Sequence, residues 1–580
     1  MKQTKIICTL GPAVDSLQKI EELLLSGMNI ARFNFSHGTY EEHAKRIKWV
    51  KSARKSLGLS CPLMLDTKGP EIRIGILEQE KKVESGEIIA LVERAKASNE
   101  LPMDPISVIS SIDVGMTILF HDGYLAGTVM AKEPGRLLVK MIDAGALASR
   151  KGINVPDAKL NLPALTKRDR EDLIFGCKMG IEIVAASFIR SSEHVLAIKQ
   201  LLAAQGRPEV FVVAKIENRQ GIEEFDRIVQ VSDGIMVARG DLGVELDPSL
   251  VPKLQKMMVR KCFDACKPVT IATQMLESMI VNPRATRAEV SDVANAIYEG
   301  ASSIMLSGES SVGKYPIEAV QLMKKIAQDV EEDFDNREFY YLHSRKEFPN
   351  ISSAVALSSV KTAYTLGANM IFVFTTSGLT ARLVSRFKPE MPVIAVTHDP
   401  TIFQQLGCFW GVIPLLAKSA TWQNFFETAS QYAIREEILS FGDLVVVIAG
   451  AEFGLRGSTN TMTVESIGSI LARGESGYGA VVQGRVKRFV LRGNTDSYED
   501  AILVLPACDS SYLPMMQNAR GVILESHADD HSSCTYALEA ARLHHLSIIV
   551  RAENALSILQ EGEEIAMDPA KAIVYRRQSR

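Results

Sequence analysis

The chain has 580 residues, 46% hydrophobic and 23% charged, with a formal net charge of −4. These values are those of an ordinary soluble globular protein of roughly four domains. They give no reason to expect nucleic acid or an anionic membrane as a partner. The N-terminal apolar run is too short for a signal peptide, and no stretch reaches the length needed to span a bilayer. Eight cysteines are scattered singly, and the closest pair, Cys262 and Cys266, does not make a CxxC pattern. A cytoplasmic protein with buried free thiols is expected.

In chain order, Ile6 to Leu10, Ile30 to Phe35 and Pro62 to Asp66 are short apolar runs separated by segments of helical spacing. Strand–helix alternation with near-continuous apolar strands predicts a parallel sheet. From Glu71 to about Leu162 the helical spacing fades. Short alternating runs (Ile88 to Val92, Thr117 to Phe120, Leu137 to Met141) predict a small all-β insertion. The strand–helix rhythm then resumes with Ile183 to Phe188, Val210 to Lys215, Gly234 to Ala238, Val269 to Ala272 and Ser303 to Leu306. Eight such strands are the number that closes a (β/α)8 barrel, and no GxGxxG follows any of them to support a Rossmann sheet. A second α/β unit spans about 350 to 467, with strands at Met370 to Thr375, Val393 to Val396 and Leu444 to Ile448. A third runs from Gly477 with short β runs around one helix near Tyr536 to Leu543.

The chemistry gathers at the strand ends, which face the mouth of a barrel. Lys215 and Glu217 follow one strand, and Arg239-Gly240-Asp241-Leu242-Gly243 follows the next. Two carboxylates converging there can hold a divalent metal, and the lysine can neutralise an oxyanion. The other reading is a solvated loop with an incidental salt bridge. Arg32 lies inside an apolar run, where a charge is costly unless paired or aimed at a ligand. With Asn34, Ser36, Asp66, Thr67, Arg73, Thr273 and Glu277 it makes a mouth of several cations and few competing acids, suited to phosphate or carboxylate. Asn34, Ser36, Asp66 and Thr67 are oxygen donors suited to a hard cation of low charge or a divalent one. Gly240-Asp241-Leu242-Gly243 can open a short helix whose free N–H groups bind an anion.

The stretches KIICTLGPA, GMNIARFNFSHG, LMLDTKGPEIR, KGINVP, LPALTKRD, AASFIR, KIENRQG, DGIMVARGDLGVE, ATQMLESM, PRATRAEVSDVANA and SIMLSGESSVGKYP occur in order over about residues 1–475. Together they resemble the pyruvate kinase family. The resemblance implies a fold of four parts. These are a (β/α)8 TIM barrel from 1–70 and 163–340, an inserted β lid at 71–162, an α/β regulatory domain at 345–475 and an extra domain at 477–580. It implies transfer of a phosphoryl group from phosphoenolpyruvate to ADP in a homotetramer. Carried over residue by residue, it puts Mg²⁺ (or Mn²⁺) on Glu217 and Asp241, and the enolate and transferring phosphoryl against Lys215. The substrate would meet Gly240, Asp241 and Thr273, with Thr273 near the proton path, and its phosphate would meet Arg32. K⁺ would fall to Asn34, Ser36, Asp66 and Thr67, and the nucleotide to Arg73 and Lys151. A bare metabolite sensor would not need Lys215, Glu217, Asp241 and Thr273, and another phosphoenolpyruvate-using barrel would not need Arg73, Lys151 and the lid. The chain departs from the family pattern at His121-Asp122-Gly123, where two aspartates usually precede the glycine, and at Glu182, where aspartate is common. Near Ile106 to Val108 no acid aligns with the lid residue that K⁺-dependent members carry.

In the regulatory part, Thr375, Thr376, Ser377, Gly378 and Thr380 form a hydroxyl-rich turn into a helix, with the loop Gly450 to Asn460 placed to cover it. This implies an effector site for a phosphorylated metabolite; the alternative is an N-capped helix without a ligand. The last part resembles the phosphohistidine mobile domain of phosphoenolpyruvate-utilising enzymes, but Tyr536 stands where its histidine belongs. Incubation with labelled phosphoenolpyruvate is therefore expected to leave no acid-labile phosphohistidine in residues 477–580. Label recovered on a histidine there would contradict the assignment.

Overall fold

The computed structural model describes residues 2–345, 350–419, 421, 424–450, 459–489, 498–527 and 529–576. The chain divides into two compact units. One holds Met1–Leu357 and Val373–Ser419, and the other Ser358–Phe372 and the chain from Asn460 onward.

In the first unit the eight expected strands are β1 (Lys5–Thr9), β2 (Ile30–Asn34), β3 (Leu63–Asp66), β4 (Ile183–Ala186), β5 (Phe211–Ile216), β6 (Gly234–Ala238), β7 (Val269–Ala272) and β8 (Ser303–Leu306). They pair in parallel in sequence order, and β8 closes onto β1 with Lys5 opposite Ser303. Almost every residue in them is buried, because side chains fill the barrel on one face and meet the helices on the other. That is why these strands read as unbroken apolar runs rather than alternating ones.

Helix starts are written locally. Thr39 with Glu42, Thr166 with Asp169 and Thr286 with Glu289 each form a reciprocal capping box that satisfies two otherwise orphaned N–H groups. Asp169 has a second task, since its Oδ1 accepts the Gly69 N–H at 3.0 Å and ties this helix to the turn after β3.

Residues 72–154 close a second, seven-stranded barrel in the order 136–141, 88–92, 100–104, 72–74, 152–154, 117–120, 125–133. The three runs expected from the sequence are there. The three-residue strands Ile72–Ile74 and Gly152–Asn154 were not anticipated; they are too short to show a period. They pair with each other, Gly152 opposite Arg73, so the entry and exit of the insertion lie side by side.

Strands also form at Met370–Phe374, Val393–Thr397 and Leu444–Gly450, and Val412–Leu416, not anticipated, pairs in parallel with Val393–Thr397. The second unit carries an eight-stranded sheet. Strands Val482–Arg488, Ala501–Leu505, Gly521–Leu524 and Ile548–Val550 are parallel, and antiparallel strands flank them, including Ser469–Arg473 and Ser476–Tyr478. The helix expected near 536–543 runs from His531 to His544, because Asp530 caps it through Ser533 N–H. Among the described residues no helix is long and apolar enough to cross a membrane. All eight cysteines are free and buried.

Glu182 has a structural task at the amino end of β4. Its carboxylate accepts Arg54 Nη2 at 2.8 Å and the Leu63 N–H at 2.7 Å, with both side chains nearly enclosed. Glu182→Ala would strand a guanidinium and an amide, and is expected to lower the unfolding free energy by about 3 kcal/mol. A urea midpoint equal to that of the wild type would show the pair to be dispensable.

Candidate active site

At the carboxyl end of the barrel the strand register sets one acid between two cations. Asn34 stands opposite Asp66, and Arg32, two residues earlier on β2, reaches across. Arg32 Nε meets Asp66 Oδ2 at 2.6 Å, and Lys215 Nζ meets Asp66 Oδ1 at 3.1 Å. Arg32 Nη1 also donates to Thr9 Oγ at 2.7 Å. Lys215 Nζ continues to Glu217 Oε1 at 2.9 Å, and Glu217 Oε2 accepts the Phe188 N–H at 2.5 Å. Both acids are 1% exposed, so the charges are satisfied by one another rather than by water.

The electrostatics follow. Burial by itself would push the Lys215 ammonium down, but Asp66 and then Glu217 outweigh it and hold it above the ordinary lysine range. Burial likewise opposes the Asp66 carboxylate, yet Arg32 and Lys215 keep its carboxyl below the usual range. Lys215 therefore stays a fixed cation, suited to neutralising charge and not to accepting a proton.

Asp241 lies in the short helix Arg239–Glu245 after β6, as expected. Confinement within the mouth, then the Glu217 carboxylate within hydrogen-bond reach, raises its carboxyl above the ordinary range, although the side chain is open to solvent. Two adjacent carboxylates that repel one another are a fit for a divalent cation placed between them. Among the described residues no group of three or more His, Cys, Asp or Glu could hold a metal, so an ion here would complete its shell with oxygens from substrate or water.

One expectation is corrected. The Gly240 N–H is not free for an anion, because it donates to Thr273 Oγ at 2.9 Å. Thr273 is held at φ +69° and Gln274 at +54°, a left-handed pair that a β-branched residue adopts only under constraint. Arg239 supplies part of that constraint by donating to the Thr273 and Gln274 carbonyls and pairing with Asp292 at 2.7 Å.

Of the four oxygen donors proposed for a monovalent ion, Asn34 Oδ1 accepts the Ser36 N–H at 3.1 Å and Thr67 Oγ accepts the Ser187 N–H at 3.1 Å. The four lie on the adjoining ends of β2 and β3, with both Asp66 oxygens engaged by the cations described above.

Arg73 and Lys151 line a cavity of about 210 Å³ that also contains Asp122, Arg190, Asp241 and Glu245. The expected scarcity of acids is thus corrected as well. Glu71 takes Arg73 Nε at 2.5 Å, and Glu245 takes Asn154 Nδ2 from the insertion at 2.8 Å. Glu277 opens the turn Glu277–Ile280 and is not among the residues that line this cavity.

Ser187, one residue past β4, was not singled out from the sequence. Its hydroxyl lies 2.7 Å from Lys215 Nζ, 3.1 Å from Asp66 Oδ1 and 2.6 Å from the Thr67 carbonyl. Asking which side chain follows each strand would have found it. The turn after β3 depends on it too: Gly69 is at φ +73°, and a Cβ there would come within 2.9 Å of Ser187 Cβ.

In the turn after Met370–Phe374, Gly378 is left-handed and its N–H donates to Thr375 Oγ at 2.9 Å, while Thr380 Oγ meets Thr459 Oγ at 2.6 Å. These two threonines are buried and committed, and Thr376 and Ser377 are half-buried. Residues 451–458 of the expected covering loop lie outside the described residues. Tyr536 packs half-buried against the apolar core of the second unit.

A parallel (β/α)8 barrel whose mouth fixes buried cations beside paired carboxylates, with a β-barrel inserted after the third strand, defines an enzyme built to handle anionic groups. Comparison with known proteins specifies the class. The family model for the pyruvate kinase barrel domain matches residues 1–320, and that for the pyruvate kinase alpha/beta domain matches residues 353–465. A pyruvate kinase of Geobacillus stearothermophilus is 38% identical over 586 residues, covering 99% of each chain. Those of Bacillus licheniformis and Sporosarcina psychrophila are 38% and 37% identical, again over 99% of each chain. The chain belongs to the pyruvate kinase family and is a phosphotransferase.

Ser187→Ala should lower turnover about tenfold, the effect of about 1.4 kcal/mol, by loosening the Lys215 ammonium while leaving the fold intact. Equal turnover in the two proteins would remove the hydroxyl from the site.

Proposed function

We propose that the chain transfers the phosphoryl group of phosphoenolpyruvate to ADP, giving pyruvate and ATP. The observation that carries this reading is the Arg32–Asp66–Lys215–Glu217 network, buried at the barrel mouth in a chain similar over its whole length to pyruvate kinases. Phosphoryl transfer needs mainly positioning and charge neutralisation. Arg32 meets the substrate phosphate, and Lys215 stands against the phosphoryl in transfer and the enolate oxygen left behind. Gly240 and Asp241 bound the substrate, and Thr273 borders the path by which the enolate carbon gains its proton. Arg73, on the entry strand at the root of the insertion, and Lys151, one residue before the strand paired with it, hold the nucleotide, and the insertion 71–162 closes over it to exclude water.

Glu217 and Asp241 are the residues to hold Mg²⁺ or Mn²⁺, which when bound supplies neutralisation of phosphoryl and enolate charge. Asn34, Ser36, Asp66 and Thr67 are those to hold K⁺. The turn Thr375, Thr376, Ser377, Gly378 and Thr380 is the proposed effector site, with Thr376 and Ser377 the hydroxyl side chains not engaged as Thr375 and Thr380 are. The assembly proposed is a homotetramer.

A coupled assay of ADP-dependent pyruvate formation, with and without Mg²⁺ and K⁺, tests this directly; no turnover under any condition refutes it. Lys215→Met is expected to reduce kcat by at least about a thousandfold while phosphoenolpyruvate binding persists. Near-normal kcat in that variant would remove Lys215 from the mechanism.

A further inference from the structure

A second cavity, of about 300 Å³, lies at the opposite end of the same barrel. Its wall is the helix Val251–Asp264, the turn Cys266 to Pro268 that enters β7 and the loop Gly300 to Ser302 that enters β8. The helix Asn336–Ser344, residues Arg382 to Lys388 and the pair Phe409-Trp410 complete it. These segments border the amino ends of β7 and β8, whereas Lys215 sits at the carboxyl end of β5, and Asp241 and Thr273 past those of β6 and β7. No step of the proposed reaction uses this cavity.

Its lining is unusual in charge and in shape. Six lysine or arginine side chains face it, with one acid, Glu299, already bound to Gln255 Nε2 at 2.8 Å and Lys256 Nζ at 3.6 Å. The rest of the wall includes four aromatic rings, those of Phe263, Phe339, Phe409 and Trp410. The Lys388 ammonium is enclosed, donating to the Ala301 carbonyl at 2.9 Å and standing 4.7 Å from the Trp410 ring centroid. Two buried donors of the lining, Arg382 Nε and Trp410 Nε1, have no hydrogen-bond partner among the described residues. A buried N–H without an acceptor is costly, so a fold rarely leaves two of them on one wall unless something else satisfies them. Burial, followed by the Arg382 charge, pushes Lys267 down to about 8, and burial pushes Lys388 down to about 7. Lysine and arginine side chains thus outnumber acids six to one among the residues that line this wall.

We infer that this cavity is a binding site for a small organic anion: an oxyanion head held by the arginines and lysines, on a flat apolar body lodged among the aromatic rings. Arg382 Nε and Trp410 Nε1 supply the unclaimed donors, and Arg260 at the solvent rim adds charge. Aryl or nucleoside-like phosphates and aromatic carboxylates share this chemistry, and the volume suits a ligand of that size.

The test is calorimetric titration of the full chain with phenyl phosphate, benzoate and inorganic phosphate, repeated on Arg382→Met and Arg260→Glu, and on the wild type saturated with phosphoenolpyruvate. At least one aromatic anion should bind saturably, at least tenfold tighter than inorganic phosphate. The binding should weaken at least tenfold in Arg382→Met and in Arg260→Glu, and persist in the presence of phosphoenolpyruvate. A preference for phenyl phosphate assigns a phosphoryl head and one for benzoate a carboxylate head; both support the site. Arg260 is exposed, so its reversal reports on binding even if Arg382→Met fails to fold. Three outcomes would overturn the inference: no saturable binding of either aromatic anion, binding unchanged in Arg260→Glu, or binding lost when phosphoenolpyruvate is present, which would place the probe in the active site.

Discussion

The site depends on a single buried carboxylate. Asp66 sits between Arg32 and Lys215 with almost no exposure, and each of its oxygens meets one cation. A carboxylate in that position is tolerable only if paired, and so is each cation. The result is mutual: Asp66 stays ionised because of Arg32 and Lys215, and Lys215 stays charged because of Asp66 and Glu217. Preset positive charge in a water-poor mouth needs no rearrangement when negative charge develops there, and this is how electrostatic catalysis operates.

The barrel makes that arrangement obligatory. Arg32, Asp66 and Lys215 lie on β2, β3 and β5, and their reach depends on strand register, which a one-residue slip would invert. Ser187 past β4 fills the gap between them. Thr273, kept left-handed past β7, shows the same economy: backbone strain is held in place by Arg239 and by the Gly240 N–H. The opposite end of the barrel carries Glu182 with Arg54, a pair far from the chemistry whose concern is stability.

Legibility in the sequence followed element type. The eight barrel strands were readable because burial on both faces makes each an apolar run. Arg32 was noticeable because it violates such a run. The pairs Lys215 with Glu217 and Gly240 with Asp241 were visible as strand ends. The three-residue strands at the root of the insertion, Val412–Leu416 and the flanking strands of the second unit were not readable, since short or half-exposed strands carry no reliable period. Ser187 was missed for a different reason. A serine after an apolar run looks like any other loop serine until its neighbours are known.

The sequence alone determined the barrel, the insertion, the family resemblance and the side chains offered at the mouth, because these rest on local periodicity and on residue identity. Tertiary structure decided who pairs with whom. It engaged both Asp66 oxygens with cations, gave the Gly240 N–H to Thr273, set Glu71 on Arg73 and gathered six cations around an aromatic cavity at the far end of the barrel. The physical reason is that charge pairing and donor satisfaction depend on distances between residues remote in the chain, which no periodicity encodes.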